Sequence, residues 1–325
     1  MFKVLITTVP FGEIDRLPLD LLEKSNIDYV INPYNKKLTE DQLADLITDF
    51  DAVIAGTEEI TEKVMTKASN LKLISRVGIG LDSVDLLAAE RLKIGVSYTP
   101  DAPAPAVADL TIGLMYSILR KIHQANIHMH NGNWNRFFGK RLVDCTIGII
   151  GTGRVGTRVI ESLKVLGCKK ILYYDKKVRL QENQDVVFAQ KEEIYEKSDI
   201  ISFHIPLDVE TKNMVTWADM KRMKKDVSLI NTSRGGIINE QDLSDALRDN
   251  IIGGAAIDVF IQEPYQGILS EYDNCILTSH MGSMTVDCRT QMEIEATEEA
   301  VRFLTGCSLE REVPEEEYDV QKGGL

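Results

Sequence analysis

A chain of 325 residues with 44% hydrophobic content holds enough apolar material for two domains of ordinary size. Its 37 basic and 50 acidic residues give a formal charge of -13 with no block of Lys and Arg resembling a phosphate-binding stripe, which excludes nucleic acid as an expected partner. Five scattered cysteines without a CxxC pair exclude a disulfide framework or thiolate metal site, and no stretch approaches the roughly 20 apolar residues of a membrane span.

The opening MFKVLITTVP has too short an apolar run for a signal peptide, so a cytoplasmic location with reduced thiols is expected. Short runs rich in Val and Ile then alternate with helical patterns: KVLITT from Lys3, DAVIAG from Asp51, LKLISRVG from Leu71 and KIGVSYT from Lys93. This alternation predicts a parallel sheet flanked by helices. After DAPAPAVAD, the apolar positions Val107, Leu110, Leu114, Ile118 and Ile122 predict one long helix with a buried face. His123, His128 and His130 follow, but their offsets of five and seven do not stack three imidazoles on one helical face, and no metal is expected. Trp134, with Arg136, Lys140 and Arg141, reads first as a solvated connection. Its second reading is a segment near a partner subunit's site that attracts an anionic group.

A second series of strands runs from TIGIIG at Thr146 through ILYYD, DIISFH, VSLINTS, GAAIDVF and CILTSH, ending at His280. These are nearly continuous apolar runs, as expected of strands covered on both faces. Open α/β sheets bind ligands where such strands end. The segment from Met284 to Gly306 predicts a helix packed through Met292, Ala296, Ala300 and Leu304, with its glutamates on a solvated face. The tail EREVPEEEYDVQKGGL is expected to be exposed or partly disordered.

The stretch GIIGTGRVG, Gly148 to Gly156, joins the first strand of that series to a helix, and Asp175 follows Gly151 by 24 positions. A GxGxxG pattern alone is common in turns, but the strand, the helix and the distant acid together point to a dinucleotide. Gly151 permits the tight turn, Gly153 admits a pyrophosphate close to the backbone, and Gly156 lets helix pack on strand. Amides of the first helical turn, at Arg154 and Val155, then meet the anion. Asp175 accepts from ribose hydroxyls and repels a 2'-phosphate, which favours NAD over NADP, while Lys176 and Lys177 weaken that preference.

Three further residues stand out: Arg234 in NTSRGG, Glu263 in DVFIQEP and His280 in LTSHMGS. Singly, each has a bland structural reading as a cap, a turn opener or a core histidine. Together with RVGIGLDSVD, VADLTIGL, HIPL and GAAIDVF, they resemble the D-2-hydroxyacid dehydrogenase family, and its phosphoglycerate dehydrogenase-like members in particular, over nearly the whole chain.

That resemblance implies an α/β fold in which a Rossmann doubly wound parallel sheet is inserted into a smaller flavodoxin-like substrate domain. The NAD-binding domain would span 99–284 and the substrate domain 1–98 with 285–325. It implies His280 as acid-base group, Glu263 as its partner and Arg234 as the anchor of a substrate carboxylate. A proton donor at the keto oxygen speeds hydride transfer, a neighbouring carboxylate favours the imidazolium, and a guanidinium grips a carboxylate with two parallel bonds. The amides of Val77 and Gly78 would form a substrate-carboxylate loop. Asp258, Gly282, His204, Pro206, Thr211, Thr232 and Ser233 would line the cofactor.

The implied reaction is NAD-dependent interconversion of a small D-2-hydroxy acid and its 2-keto acid, with 3-phosphoglycerate or hydroxypyruvate and glyoxylate as candidates, in a homodimer. An NADH-sensing binding protein resembling the C-terminal binding corepressors is the alternative, and formate or phosphite oxidation a third reading. Two departures from the family pattern stand out. Ser279 replaces the proline common before the histidine, putting the rigidity of that loop in doubt, and Asp109 replaces a common Glu. With only a short tail after residue 306, serine-type feedback is not expected.

Overall fold

Five short parallel strands form the first sheet: β1 (Lys3–Ile6), β2 (Asp28–Ile31), β3 (Ala52–Ala55), β4 (Leu73–Arg76) and β5 (Gly95–Ser97). Their order is β2-β1-β3-β4-β5, which is the flavodoxin-like winding. Strands β3 and β4 are buried at every position, β3 as its apolar AVIA requires and β4 although its LISR ends in Ser75 and Arg76, whose polar groups are hydrogen-bonded within the fold. The edge strand β2 alternates between exposed and half-buried residues, and its DYVI carries too weak a pattern to be picked out from the sequence. Helices α1 (Leu17–Lys24), α2 (Glu40–Leu46), α3 (Glu62–Lys67) and α4 (Leu86–Leu92) make the crossovers. Thr39, Thr61 and Asp85 each cap a helix by accepting a backbone N–H of its first turn.

The computed structural model describes residues 1–177, 180 and 183–322. The chain divides into two units, Met1–Pro103 with Met284–Leu325, and Ala104–Ser283.

The second unit opens with α5 (Pro103–Leu119) and α6 (Ile122–His130). The expected single helix is in fact two. Lys121 takes a left-handed φ of 52° and ends the run, so Ile122 belongs to α6 and is exposed, while Leu114 and Ile118 are buried as their spacing requires. The sheet comprises β6 (Ile147–Ile150), β7 (Ile171–Tyr174), β8 (Val186–Phe188), β9 (Ile200–Phe203), β10 (Ser228–Asn231), β11 (Gly254–Ile257) and β12 (Cys275–Leu277). Helices α7 (Arg154–Val165), α8 (Lys191–Lys197), α9 (Trp217–Met220) and α10 (Glu240–Arg248) lie between them in sequence. All pairings are parallel and the order is β12-β11-β10-β9-β6-β7-β8. The winding reverses between β6 and β9, as in Rossmann domains.

The chain returns to the first unit as α11 (Val286–Leu304) and α12 (Glu315–Lys322). Two expectations are corrected here. The glutamates of α11 are not a solvated face: Glu293, Glu295 and Glu299 are all buried. Glu293 accepts from Arg289 Nε at 2.6 Å and Gly12 N at 2.9 Å, and Glu299 Oε2 accepts the amides of Glu310 and Arg311 at 3.0 and 3.1 Å. The tail is ordered through residue 322, because Val313 enters the core of the first unit and Gln321 exchanges hydrogen bonds with Leu86 N and Val84 O. Its last three residues lie outside the described residues.

Replacing the buried Glu299 by Ala strips two loop amides and the Arg311 guanidinium of their acceptor, a type of loss that costs about 3 kcal/mol. Chemical denaturation should show a lower midpoint for unfolding of the first unit. An unchanged midpoint would return these glutamates to the status of surface charges.

Candidate active site

The functional candidates of the second unit gather at the carboxyl ends of its strands. Gly151 follows β6, Asp175 follows β7, His204 follows β9, Arg234 follows β10, Asp258 and Glu263 follow β11, and His280 follows β12.

At the end of β6 the chain closes on itself so tightly that only glycine fits. Gly151 has φ of 95°, and a Cβ there would stand 2.4 Å from the His204 carbonyl oxygen. At Gly156 a Cβ would stand 1.9 Å from the Gly151 oxygen. Gly153 is different: nothing lies within 4 Å of its would-be Cβ, and no side chain caps α7 there. An open cradle at an uncapped helix N-terminus suits a pyrophosphate, with the turn opening at Arg154 and Val155.

Asp175 is half-buried and shaped by its own loop: Oδ2 accepts Thr152 N at 2.6 Å and Thr152 Oγ1 at 3.0 Å, while Oδ1 accepts Lys177 N at 2.9 Å. Lys176 is drawn away to Glu210 at 2.7 Å and Asp208 at 3.7 Å. Its pairing with Glu210 raises its pKa above the ordinary lysine value.

His204 donates its backbone N–H to Ile150 O at 2.7 Å, and its Nε2 lies 2.9 Å from Ser202 Oγ. Burial pushes its pKa down to about 3, so the ring is neutral. Its Nδ1 is buried with no hydrogen-bond partner among the described residues. An orphaned polar atom at a strand end is the kind of group a bound ligand satisfies.

In the next loop Thr211 Oγ1 donates to Pro206 O at 2.8 Å and accepts Asp208 N at 2.7 Å. Thr232 Oγ1 lies 2.9 Å from Thr111 Oγ1 on α5. Ser233 turns back on Asn231 Oδ1, and Asn231 Nδ2 donates to Arg234 O at 2.8 Å. Asn231 thus shapes the turn that carries Arg234, a role that NTSRGG contains but spacing alone does not reveal. Gly235 is obligatory here, since a Cβ would lie 2.1 Å from the Phe260 carbonyl carbon.

Glu263 and His280 are brought into direct contact, with Nδ1 2.8 Å from Oε2. The other carboxylate oxygen of Glu263 accepts Phe260 N at 3.1 Å, and Glu240 on α10 accepts Ile261 N at 2.8 Å. His280 has a left-handed φ of 50°. The expected looseness of the Ser279 loop is answered by Asp258, which is fully buried and accepts from Thr278 Oγ1, Met281 N and Gly282 N. Gly282 packs against Val107, 3.2 Å from its would-be Cβ.

In the first unit Val77 and Gly78 directly follow β4. Val77 N donates to Ala55 O at 2.9 Å and Gly78 N to Thr99 Oγ1 at 2.8 Å, so both amides are committed within the fold. The amides of Ile79 and Gly80 donate to no group among the described residues. The histidines of α6 are dispersed: His123 Nε2 meets Asp273 O at 2.8 Å and His128 Nδ1 meets Asn135 Nδ2 at 2.7 Å. Asp109 is exposed on α5. Among the described residues no helix is long and apolar enough to cross a membrane.

Residues 112–282 match the family model for the D-isomer specific 2-hydroxyacid dehydrogenase NAD binding domain. The chain is 32% identical over 314 residues to D-3-phosphoglycerate dehydrogenase of Synechocystis sp., covering 94% of this chain but 55% of that protein. It is 35% identical over 280 residues to glyoxylate reductase of Thermofilum pendens, covering 82% of each. The crystal structure of TT0316 protein from Thermus thermophilus superposes with a TM-score of 0.89 at 28% identity, over 96% of this chain and 100% of that one. The chain belongs to the D-isomer specific 2-hydroxyacid dehydrogenase family, and its second unit is the family's NAD-binding domain.

Proposed function

We propose that the protein interconverts a small D-2-hydroxy acid and its 2-keto acid with NAD as cofactor, and that Arg234, Glu263 and His280 carry the chemistry. The observation that carries this reading is the 2.8 Å contact between His280 Nδ1 and Glu263 Oε2, on the same sheet edge as the glycine cradle. Bound NAD supplies or accepts the hydride. With Nδ1 donating to Glu263, the His280 Nε2 is left to give a proton to the forming alkoxide or to take one from the hydroxyl. Glu263 holds the ring in place through Nδ1. Arg234 binds the substrate carboxylate through its planar fork, fixing which face of the keto carbon is presented.

Cofactor choice follows from the end of β7. Asp175 repels a 2'-phosphate, and Lys176 is tied to Glu210 and Asp208 instead of waiting for one. Asp175 keeps acceptor capacity beyond its three internal bonds, enough for a ribose hydroxyl.

A homodimer formed through the second unit is part of the same proposal. Helix α6 buries none of its residues, and beyond it Trp134 and Phe138 are 78% and 98% exposed. With Ile122, Ile127 and Met129 they make an apolar surface that calls for a partner. A second copy of this chain is the occupant proposed. Lys140, by contrast, is held within its own unit by Asp226 and Asp199. A cytoplasmic location agrees with the free cysteines.

Purified protein should oxidise NADH with at least one of hydroxypyruvate, glyoxylate, pyruvate or 3-phosphohydroxypyruvate. His280→Gln should lower kcat by roughly 100- to 10,000-fold while leaving NADH affinity little changed. NADH binding without turnover on any of these acids would instead favour a sensing role. Asp175→Ser should raise the NADPH-to-NADH ratio of kcat/KM about tenfold, the equivalent of ~1.4 kcal/mol, and an unmoved ratio would remove Asp175 from cofactor choice. In light scattering, Trp134→Glu combined with Phe138→Glu should convert dimer to monomer. A dimer that persists would place the interface elsewhere.

A further inference from the structure

His280 stands in a backbone conformation that an L-residue adopts only when its surroundings insist on it. What insists is one buried carboxylate. Asp258 is 0% exposed and makes no ion pair among the described residues. Its Oδ1 accepts the Thr278 hydroxyl at 2.5 Å and Met281 N at 2.9 Å, and its Oδ2 accepts Gly282 N at 3.0 Å. The backbone carbonyl of the same residue accepts His280 N at 2.8 Å. Four donors drawn from the five-residue loop 278–282 therefore converge on Asp258, with His280 between them.

We infer that Asp258 is the positioning residue of His280, fixing the loop in the conformation that lays the imidazole Nδ1 on Glu263. This rests on the acid-base role proposed above for His280. A buried carboxyl group satisfied only by hydrogen bonds tolerates no loss of a donor, because the oxygen it leaves bare then bears the desolvation penalty. Displacing the loop would therefore leave Asp258 exposed to that penalty, and the loop stays. An amide in its place fails for a definite reason. Asparagine keeps one acceptor oxygen but turns an NH2 toward a loop N–H, setting donor against donor. The role is separate from the cofactor contact implied by family resemblance, for which Asp258 keeps acceptor capacity beyond its three side-chain bonds.

The test compares Asp258→Asn, Thr278→Val, Thr278→Ser and the pair Asp258→Asn with His280→Ala. Asp258→Asn should lower kcat roughly a hundredfold, the scale of a misplaced catalytic group, with a far smaller change in the Kd for NADH in fluorescence titration. On a His280→Ala background the same substitution should have no further effect, because it acts through the missing ring. Thr278→Val should give a smaller loss that Thr278→Ser restores. NADH affinity falling in step with kcat would overturn the proposal in favour of a cofactor contact, as would losses that multiply in the double variant. Should Asp258→Asn not fold, Thr278→Val at the wild-type rate overturns it equally.

A readout independent of turnover is the low-field proton resonance of His280 Nδ1–H on Glu263, identified by its absence in His280→Ala. Its disappearance in Asp258→Asn supports the positioning role even if no keto acid is reduced, in which case the functional reading fails alone. Its persistence overturns the positioning role.

Discussion

The contact between His280 Nδ1 and Glu263 Oε2 is the constraint on which the rest of the site depends, because it decides which imidazole nitrogen faces outward. Neither side chain is held by its own rotamer alone. Glu263 is drawn back by Phe260 N, the same turn is fixed by Glu240 through Ile261 N, and the turn can lie so close to the 234–236 segment only because residue 235 has no side chain. His280 is held from the other direction by Asp258. Two loops leaving adjacent strands β11 and β12 thus supply one hydrogen bond, and the parallel pairing of those strands sets its distance.

The same parallel arrangement explains why the glycine turn and the His280–Glu263 pair share an edge. Strands covered on both faces are uniformly apolar and offer no place for polar chemistry along their length. Polar groups therefore collect where the strands end, and in a parallel sheet all carboxyl ends fall on one side. The winding reversal between β6 and β9 separates the loops that follow these strands. His204 and the Gly151 turn sit on either side of that reversal and touch through the contact that forbids a Cβ at residue 151.

Much of this was legible in the sequence because it is local. The glycine turn, the apolar strands and the acid after ILYYD are written within a few residues of one another, and the structure gives each a strand, turn or helix as expected. What escaped depends on partners distant in the chain. Family resemblance nominates the amides of Val77 and Gly78, but it does not reveal that Thr99, 21 residues on, takes the second of them. The acidic run of α11 reads as solvated until Gly12 and the 310–311 amides are seen to meet it from either end of the chain. The break at Lys121 is a backbone event, and no side-chain periodicity records it.

Buried or half-buried acids are common in this chain, so an acidic side chain is a poor marker of function by itself. Exposure separates them better. Glu299 and Asp258 are wholly buried and the donors they meet belong to their own unit, which suits anchors. Asp175 also makes three bonds, all to its own loop, but it is half-buried at the end of β7 and keeps acceptor capacity there, which suits a ligand contact. The histidines are told apart by place. His123 and His128 each meet a neighbour through one ring nitrogen away from the carboxyl ends of the strands, although His123 Nδ1 is also buried without a partner among the described residues. His204 has a buried nitrogen with no partner, and His280 has one nitrogen fixed by Glu263 while the other makes no hydrogen bond among the described residues. Unused hydrogen-bonding capacity does not mark a site by itself, since Tyr195 and Ser198 also hold buried unpartnered hydroxyls on the amino side of β9; it points to a ligand at His204 and His280 because there it coincides with the carboxyl ends of the sheet, where the glycine cradle lies.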